Sequence, residues 1–404
     1  MQTDFNIIIN GGGLAGNSLA LALAHTSLTV GIVEPFPPAN KQRSLLESRT
    51  IALSHGAKRI YEGMNIWSDF EPYCTPIQSI HVSDKGRFGM TRIHAKEQNM
   101  PALGYVMQIA EVNRILCEKL STYANIHYVS PARILHAALV DERWQLSISQ
   151  NEQTYDYCTD LLIAADGGDS PLRKIAGLSV DEKDYQQTAI VTSIQLTHSH
   201  NYTAYERFFD GGAIALLPVK DETMAVVVTV NNQLLSFWQG LSDGDFLAKL
   251  QHVFGYRLGR FAQVGSRTLY PLKLVTSPEQ TAKQFVLMGN AAHILHPIAA
   301  QSFNLSLRDI AVLAEMLVNA LNSGQSITEP SLLADYTDLR HRDQRRTIQF
   351  TDGLIEVFSS PFLALPRNIA MTGLDMIPPL KTMLGKYGAG TLGRLSRLAR
   401  GLGI

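Results

Sequence analysis

The segment that decides the fold is residues 5–34, which read FNIIINGGGLAGNSLALALAHTSLTVGIVE. It opens with an apolar, β-branched run at 5–9, which predicts a buried parallel strand. Three glycines follow, and residues 18–25 are rich in alanine and leucine, which favours a helix. Residues 28–33 predict a second strand that ends at Glu34. This order of strand, glycine turn, helix, strand and acid is typical of a dinucleotide-binding unit.

The glycines form the pattern GxGxxG at Gly11, Gly13 and Gly16. We expect Gly11 to allow a tight turn, Gly13 to let a pyrophosphate approach the backbone, and Gly16 to let helix and strand pack closely. The N–H groups at the helix start would bind the phosphates, and Glu34 would accept hydrogen bonds from the adenosine ribose. A glycine turn without a ligand is the alternative, but the complete order of elements favours a dinucleotide. The pattern alone does not separate FAD from NAD.

Two more strand-to-glycine turns occur later in the chain. One follows a predicted strand at 160–165 and begins at Asp166; the other follows a predicted strand at 284–288 and begins at Gly289. After the latter turn, residues 305–317 predict a helix. One dinucleotide unit needs only one phosphate loop, so the added turns indicate an extended cofactor that lies across several strand ends.

Composition bounds the class of protein. The chain has 404 residues, with 35 Lys and Arg against 36 Asp and Glu and a formal net charge of −1. This length predicts about two or three domains, and the balanced charge argues against a nucleic-acid partner. Cys74, Cys117 and Cys158 form no CxxC pair, so we expect reduced thiols in a cytosolic protein. The sequence predicts neither a signal peptide nor a spanning helix.

The motifs together resemble those of the class A flavoprotein monooxygenases, and more closely the branch of ubiquinone-biosynthesis hydroxylases. Within that branch, the sequence looks most like the enzymes acting on 2-polyprenyl-6-methoxyphenol. The resemblance extends over nearly the whole chain. The segments that carry it are 49–54, 102–106, 215–218, 264–267, 270–272, 289–293, 304–309 and 375–381.

The resemblance implies an α/β fold, in which an FAD-binding Rossmann-like domain of the glutathione-reductase type carries an inserted β-sheet substrate domain and a helical C-terminus. The expected domains are 1–75, 100–185 and 271–345 for FAD, 76–99 and 186–270 for the substrate, and 346–404 for the helical region. Helix breaks are expected at Pro361, Pro366 and Pro378-Pro379. One face of the substrate sheet would supply an apolar wall for a prenylated ring. A purely structural sheet is the alternative.

The resemblance also implies which residues bind FAD. They are Gly11, Gly13, Gly16, Glu34, Arg49, Gln108, Asp166, Gly289, Asn290, Pro297, Ala300, Ser302 and Asn304. In this assignment Glu34 holds the ribose, while Arg49, Gln108 and Asp166 face the phosphate or ribityl side. Asn304 lies beside the flavin ring. His293 and His296 occur within the same region, and we expect them to be structural, with no metal site.

The chain departs from the family in two places. Asn290 stands where the wider superfamily has Asp at the ribityl hydroxyls, and its amide can still donate and accept there. In the flavin loop, 297–306, the family has glycine where this chain has Ala300, Ser302 and Ser306. A side chain forced to positive φ at Ala300 or Ser302 costs about 1–2 kcal/mol. Ser306 lies in the following helix, where the change is milder.

The resemblance implies hydroxylation of a polyprenylated phenol by O₂, with NADH or NADPH as a transient reductant that has no domain of its own. Oxygen would pass to the ring from a flavin C4a-hydroperoxide, so no catalytic side chain is assigned. Two alternatives remain open at this point. One is a non-catalytic, weakly flavin-binding scaffold in a quinone-biosynthesis assembly, and the other is an FAD dehydrogenase that makes no oxygenated product.

The C-terminus concentrates positive charge. After Asp375 there are five basic residues and no acid: Lys381, Lys386, Arg394, Arg397 and Arg400. Leucines recur among them at helical spacing, at 392, 395, 398 and 402. This pattern suits an anionic membrane surface or an acidic partner, and the alternative is a helix packed on the body by its leucines. We therefore expect a cytoplasmic protein that can lie peripherally on the inner membrane.

Overall fold

The structure is a computed structural model that describes residues 3–36, 46, 49–391, 393 and 395–404. It is a mixed α/β fold, as predicted, and its described strands form three sheets. Numbered along the chain, the strands are β1 (Thr3–Asn10), β2 (Val30–Val33), β3 (Thr50–Ser54), β4 (Thr75–Ile77), β5 (Ser79–Asp84), β6 (Met90–His94), β7 (Gly104–Gln108), β8 (Ile126–Val129), β9 (Ala132–Val140), β10 (Arg143–Gln150), β11 (Gln153–Ala164), β12 (Asp181–Leu196), β13 (Thr203–Phe209), β14 (Gly212–Pro218), β15 (Thr223–Asn231), β16 (Phe261–Val264), β17 (Thr268–Thr276), β18 (Thr281–Ala282), β19 (Phe285–Leu287) and β20 (His293–Ile294).

The helices pack around these sheets. They are α1 (Leu14–Ala22), α2 (His55–Gly63), α3 (Trp67–Phe70), α4 (Ile109–Leu120), α5 (Pro171–Ile175), α6 (Asn232–Gln239), α7 (Asp243–Phe254), α8 (Gln301–Asn322), α9 (Pro330–Ser359), α10 (Ala364–Met376) and α11 (Pro378–Gly388). None of them is long and apolar enough, in the part of the chain that is described, to cross a membrane.

The first sheet contains the unit predicted from residues 5–34. Five of its strands run parallel in the order β8-β2-β1-β11-β19, with β18, β10 and β9 attached antiparallel. Ile7 and Ile9 pack with α1 and α8, whereas Ile8 packs on the other face with residues of β9 and β10. Because both faces of β1 are covered, its sequence is continuously apolar. The carboxyl ends of β1, β2, β11 and β19 meet at one edge, which carries the glycine turns.

The second sheet has the order β20-β17-β12-β15-β14-β13-β5-β6, with β16 paired to β12. On one face it packs against Trp238 of α6 and Phe246 of α7. Its opposite face is turned toward the loop before α8 and the C-terminal helices. The long strand β12 of this sheet begins at Asp181, before residue 186, where the second part of the substrate domain is expected to begin. The division into domains stays a prediction. A small third sheet, β3-β7-β4, lies between the two.

The helical C-terminal region is present, but two details of its prediction are wrong. Pro366 does not break a helix, because it lies in the first turn of α10. Backbone N–H groups in the first turn have no carbonyl partner within the helix, so proline, which has no N–H, is tolerated there. The leucine-spaced tail is not an α-helix in its described residues, because only a single 3₁₀ turn, Leu398–Arg400, occurs there. Leu398 is buried against Gly63, so this turn packs on α2. Leu392 and Arg394 lie outside the described residues.

Candidate functional site

The first glycine turn lies between the carboxyl end of β1 and the start of α1. Gly11 has a φ of 114°, and a Cβ there would lie 2.3 Å from the carbonyl oxygen of Ala165, so only glycine fits. A Cβ at Gly16 would lie 1.9 Å from the carbonyl oxygen of Gly11, which explains the close approach of helix and turn. The Cβ position of Gly13 has no described atom within 4 Å. No described side chain caps α1, so its first N–H groups can bind an anion.

Glu34 closes β2 beside this turn. Its Oε2 accepts a 2.6 Å hydrogen bond from the N–H of Gly12, and its Oε1 accepts one of 2.9 Å from the N–H of Phe36. Each carboxylate oxygen has a further lone pair. Glu34 can therefore hold the turn and still accept a hydrogen bond from a ribose hydroxyl.

Asp166 lies at the second turn, just beyond β11. Its Oδ2 accepts a 3.0 Å hydrogen bond from Nδ2 of Asn10, while its buried Oδ1 makes no hydrogen bond of ordinary geometry to a described residue. Burial raises the pKa of this carboxyl. A cofactor hydroxyl that donates to Oδ1 would satisfy a group that is otherwise costly to bury. No role is predicted for Asn10 from the sequence. A polar residue at the end of an apolar strand does, however, indicate a position at the site, because the ends of the strands carry the turns.

The third turn packs against the first. Gly289 has a φ of 64°, and a Cβ there would lie 2.8 Å from the Cβ of Ala15 at the start of α1. Asn290 is exposed at this turn, so its amide is open to a ligand. The structure thus brings the three turns to one edge of the first sheet, as the expected extended cofactor requires.

Two side chains without a predicted role hold these turns in place. Arg173 donates from Nη1 to the carbonyl oxygen of Ala291 at 2.9 Å and from Nη2 to that of Gly168 at 2.8 Å, which joins the second and third turns. The buried Asn17 donates to the carbonyl oxygen of Gly12 at 2.7 Å. Arg173 and Asn17 bind backbone carbonyl oxygens, which every residue type has. The spacing of residue types in the sequence therefore does not predict these two roles.

Arg49 and Gln108 form a second group, at the start of the third sheet. Thr50 pairs with Gln108, and the N–H of Ile109 donates to the carbonyl oxygen of Arg49 at 2.9 Å. The guanidinium of Arg49 lies 5.1 Å from the ring centroid of Tyr270 on β17, a cation–π contact. The two predicted residues are therefore neighbours, and their contact with FAD stays a prediction.

The flavin loop differs from expectation at one position. Ala300 has a φ of 49°, so the predicted left-handed backbone is confirmed there, and Ala299 at 57° has it as well. Ser302 lies in the first turn of α8, so the strain predicted for it is wrong. The reason is that α8 begins at Gln301, ahead of the start predicted at residue 305. Pro297, with a φ of −66°, precedes the two left-handed residues.

Asn304 fixes this loop to the third sheet. Its side chain is buried, and its Oδ1 accepts a 2.8 Å hydrogen bond from the N–H of Ser54. Its Nδ2 donates to the carbonyl oxygens of Ala300 at 2.7 Å and Ala52 at 3.0 Å. Both donors of the amide and one lone pair of its oxygen are therefore used within the protein, and Asn304 shapes the loop whether or not it also contacts the flavin ring.

A buried ionic network supports the loop from behind. His293 lies 2.7 Å from Oδ2 of Asp309, and Arg340 lies 2.6 Å from its Oδ1. Asp343 binds both Arg340 and Arg308, at 2.5 and 2.8 Å. Burial alone would raise the pKa of Asp309, but Arg340 and His293 lower it to about 2. The carboxylate therefore remains ionised and holds α8 to α9.

His296 connects the loop to the second sheet. Its Nε2 lies 3.1 Å from Oε1 of Gln187 on β12, and its Nδ1 accepts a 3.2 Å hydrogen bond from the N–H of Ile298. Burial lowers the pKa of this imidazole to about 4. It is therefore neutral near pH 7 and donates from Nε2 to the glutamine.

A cavity of about 410 Å³ opens between this loop and the second sheet. Phe208, Ala213 and Thr229 line it from three neighbouring strands, while Ile298 and Phe358 line it from the loop and the end of α9. The wall also carries polar and charged groups, among them Gln187, Asn231 and Arg367, so the cavity combines apolar and polar surface beside Ile298 of the loop.

The next row of the same sheet face is half-buried and apolar except for one carboxyl. Strand register places Val191, Val227, Ala215, Glu206 and Val82 side by side. Glu206 has no ion-pair partner among the described residues, and burial raises its pKa to about 7. This row of the face therefore combines apolar surface with one weakly acidic group.

The site fits an extended dinucleotide that carries a flavin. Gly11, Gly13 and the uncapped start of α1 would hold the pyrophosphate, while Glu34 would hold the ribose. Oδ1 of Asp166, which has no hydrogen-bond partner of ordinary geometry among the described residues, offers an acceptor farther along the same edge of the sheet. The cavity beside the loop leaves space for a second molecule.

Comparison with known proteins agrees with this arrangement. The sequence model of the FAD binding domain family matches residues 4–351. A ubiquinone hydroxylase, UbiL, of Rhodospirillum rubrum is 30% identical over 96% of this chain and 90% of its own length. The 3-demethoxyubiquinol 3-hydroxylase of Escherichia coli is 26% identical over 95% of this chain and 98% of its own length.

The solved structures agree on the fold. The p-nitrophenol 4-monooxygenase PnpA of Pseudomonas putida superposes with a TM-score of 0.81, covering 98% of this chain and all of its own at 15% identity. The family match and the similarity to UbiL both extend over most of the chain. The chain belongs to the FAD binding domain family, and the protein is an FAD-dependent monooxygenase of the aromatic hydroxylase type.

Proposed function

We propose that this monooxygenase hydroxylates the ring of a polyprenylated phenol in ubiquinone biosynthesis. The observation that carries the proposal is the cavity beside the loop Pro297 to Ala300, whose walls include Phe208, Ile298 and Phe358. These apolar side chains suit an aromatic ring that bears a prenyl chain, and the polar groups of the same wall, such as Gln187 and Asn231, suit the oxygen substituents of the ring. The two relatives described above are named as a ubiquinone hydroxylase and a demethoxyubiquinol hydroxylase, which supports the same class of substrate.

Bound FAD, reduced by NADH or NADPH, would supply the oxygen-transfer chemistry, through the C4a-hydroperoxide expected from the family resemblance. The task left to this chain is to orient the ring and exclude water. The sheet face and Phe358 would do both. Glu206, the carboxyl of the row next to the cavity, has a pKa suited to accept a hydrogen bond or a proton from the phenol.

The test uses purified full-length protein loaded with FAD. We expect bound flavin near one per chain, faster oxidation of NADH or NADPH when a polyprenylated methoxyphenol is added, and labelled oxygen from O₂ in the ring of the product. Comparing prenyl lengths and the two nicotinamides would identify the preferred substrates. Flavin that is reduced without any labelled product would contradict hydroxylation and favour the dehydrogenase reading.

A folded protein that cannot be reconstituted with FAD would instead favour the scaffold reading. Membership of a quinone-biosynthesis assembly and membrane contact through the basic tail stay predictions. Pull-down of the full chain from membranes, with and without salt, tests both.

A further inference from the structure

The C-terminal segment 362–383 has an unusual distribution of polarity. Every exposed residue of this segment is apolar, and we call this set the apolar face. Its most exposed members are Phe362 at 94%, Met376 at 76%, Leu365 at 63% and Met383 at 59%. A contiguous apolar surface of this kind on a soluble fold marks a binding surface.

Two polar residues of the same segment, Arg367 and Asn368, are directed inward. Arg367 forms a buried ion pair with Asp84, and Oδ1 of the buried Asn368 accepts a 2.8 Å hydrogen bond from the N–H of Gly89. A helix packed on a soluble protein normally buries its apolar side and exposes its polar side. In α10 this order is reversed, so packing within the protein does not account for the apolar side chains.

The charges at the α11 end of the apolar face are paired or basic, whereas the exposed Glu356 precedes its other end. Lys381 lies 3.3 Å from Asp375 and 3.5 Å from Glu97, so these three paired groups together carry a charge of −1. Lys386, one turn beyond Met383, is exposed, and the chain after Asp375 contains no acid. An apolar face with a basic flank complements a lipid surface with anionic headgroups.

We propose that the apolar face docks on the surface of a lipid bilayer. A protein partner would normally meet hydrogen-bonding groups, at about one hydrogen bond per 100–200 Å² of interface. The exposed side chains of 362–383 are all apolar, and the partly exposed Asp375 and Lys381 are paired with each other. The face also adjoins the cavity, because Arg367 lines the cavity and Phe358 stacks on Phe208. Docking would thus bring the cavity to the membrane, and this last step alone rests on the proposed function.

Co-sedimentation of the FAD-loaded full chain with vesicles tests the proposal. The vesicles are phosphatidylcholine alone and phosphatidylcholine with added phosphatidylglycerol. We expect binding to both, stronger to the anionic vesicles, and retained at high salt because apolar insertion is not screened. The triple variant Phe362→Ser, Leu365→Ser, Met376→Ser should bind at least about tenfold more weakly, with unchanged flavin content and thermal midpoint.

A matched variant, Leu135→Ser with Phe237→Ser, removes two other exposed apolar side chains and should bind like the wild type. Equal losses in both variants would overturn the proposal. So would binding that disappears at high salt, which would assign the contact to the basic tail. Self-association that is abolished by the triple variant, without vesicle binding by the wild type, would make the face a protein interface. All of these readouts are independent of turnover, so failure of the proposed hydroxylation leaves them interpretable.

Discussion

Nδ2 of Asn304 lies 2.7 Å from the carbonyl oxygen of Ala300, the residue that takes a left-handed backbone immediately before α8. The same amide also binds Ala52 and Ser54 on β3. A single buried side chain therefore joins the strained end of the flavin loop to a strand from a distant part of the chain. The loop keeps a conformation usual for glycine because these hydrogen bonds compensate the cost of the methyl group.

Replacing Ala300 by glycine should relieve that cost. We expect Ala300→Gly to raise the free energy of unfolding by about 1 kcal/mol, because the left-handed penalty of a Cβ exceeds the extra chain entropy of glycine. Urea unfolding of FAD-free protein measures the change. The control Ala334→Gly, at an exposed position in α9, should lower the free energy by about 1 kcal/mol. A loss of stability in both variants would contradict the strain.

The two glycines of the first turn separate cofactor binding from folding. A Cβ at Gly13 meets no described atom within 4 Å, whereas a Cβ at Gly16 meets the carbonyl oxygen of Gly11 at 1.9 Å. Gly13→Ala should therefore keep the thermal midpoint of the FAD-free protein and weaken FAD binding by about tenfold or more, because the methyl group occupies the space expected for phosphate. Gly16→Ala should lower both. Fluorescence titration with FAD, together with thermal unfolding, measures the two effects.

Unchanged FAD affinity in Gly13→Ala would remove Gly13 from the cofactor-binding residues. The same result would leave the role of Gly16 intact, because that role depends on packing between α1 and the turn. The pair of variants thus tests the assignment without relying on turnover.

The sequence predicts those parts of the site whose residues are adjacent in the chain. The turns at Gly11 and Gly289 follow from an apolar run, a glycine and a helix start that are adjacent in the chain. The bonds of Asn304 to Ser54 and of Arg173 to Ala291 join residues far apart in sequence, so no local pattern contains them. The start predicted for α8, at residue 305, is also wrong, since the helix begins at Gln301.

The ionic network behind the loop should contribute strongly to stability. Asp309 and Arg340 are 1% and 6% exposed. Removing the charge of Asp309 therefore leaves a buried guanidinium whose one remaining ion-pair partner, in the described part of the chain, is Asp343. We expect Asp309→Asn to lower the free energy of unfolding by about 3 kcal/mol. The control is Glu142→Gln, which breaks the exposed ion pair with Lys283 and should cost less than about 1 kcal/mol. Similar losses in the two variants, measured by urea unfolding, would contradict a special role for burial.

Glu206 should lower the free energy of unfolding as the pH rises. A carboxyl whose pKa is lowered in the folded protein has the opposite effect. Its pKa is raised by burial from 4.5 to about 7, so the folded protein binds more protons than the unfolded chain between these values. The free energy of unfolding then falls as the pH rises through this range, because the buried carboxyl must ionise without a described partner. Glu206→Gln keeps the shape of the side chain and removes the ionisation. The thermal midpoint of the variant should rise relative to that of the wild type between about pH 5 and about pH 8. A difference that is constant with pH would show that the pKa of Glu206 is not raised in the folded protein.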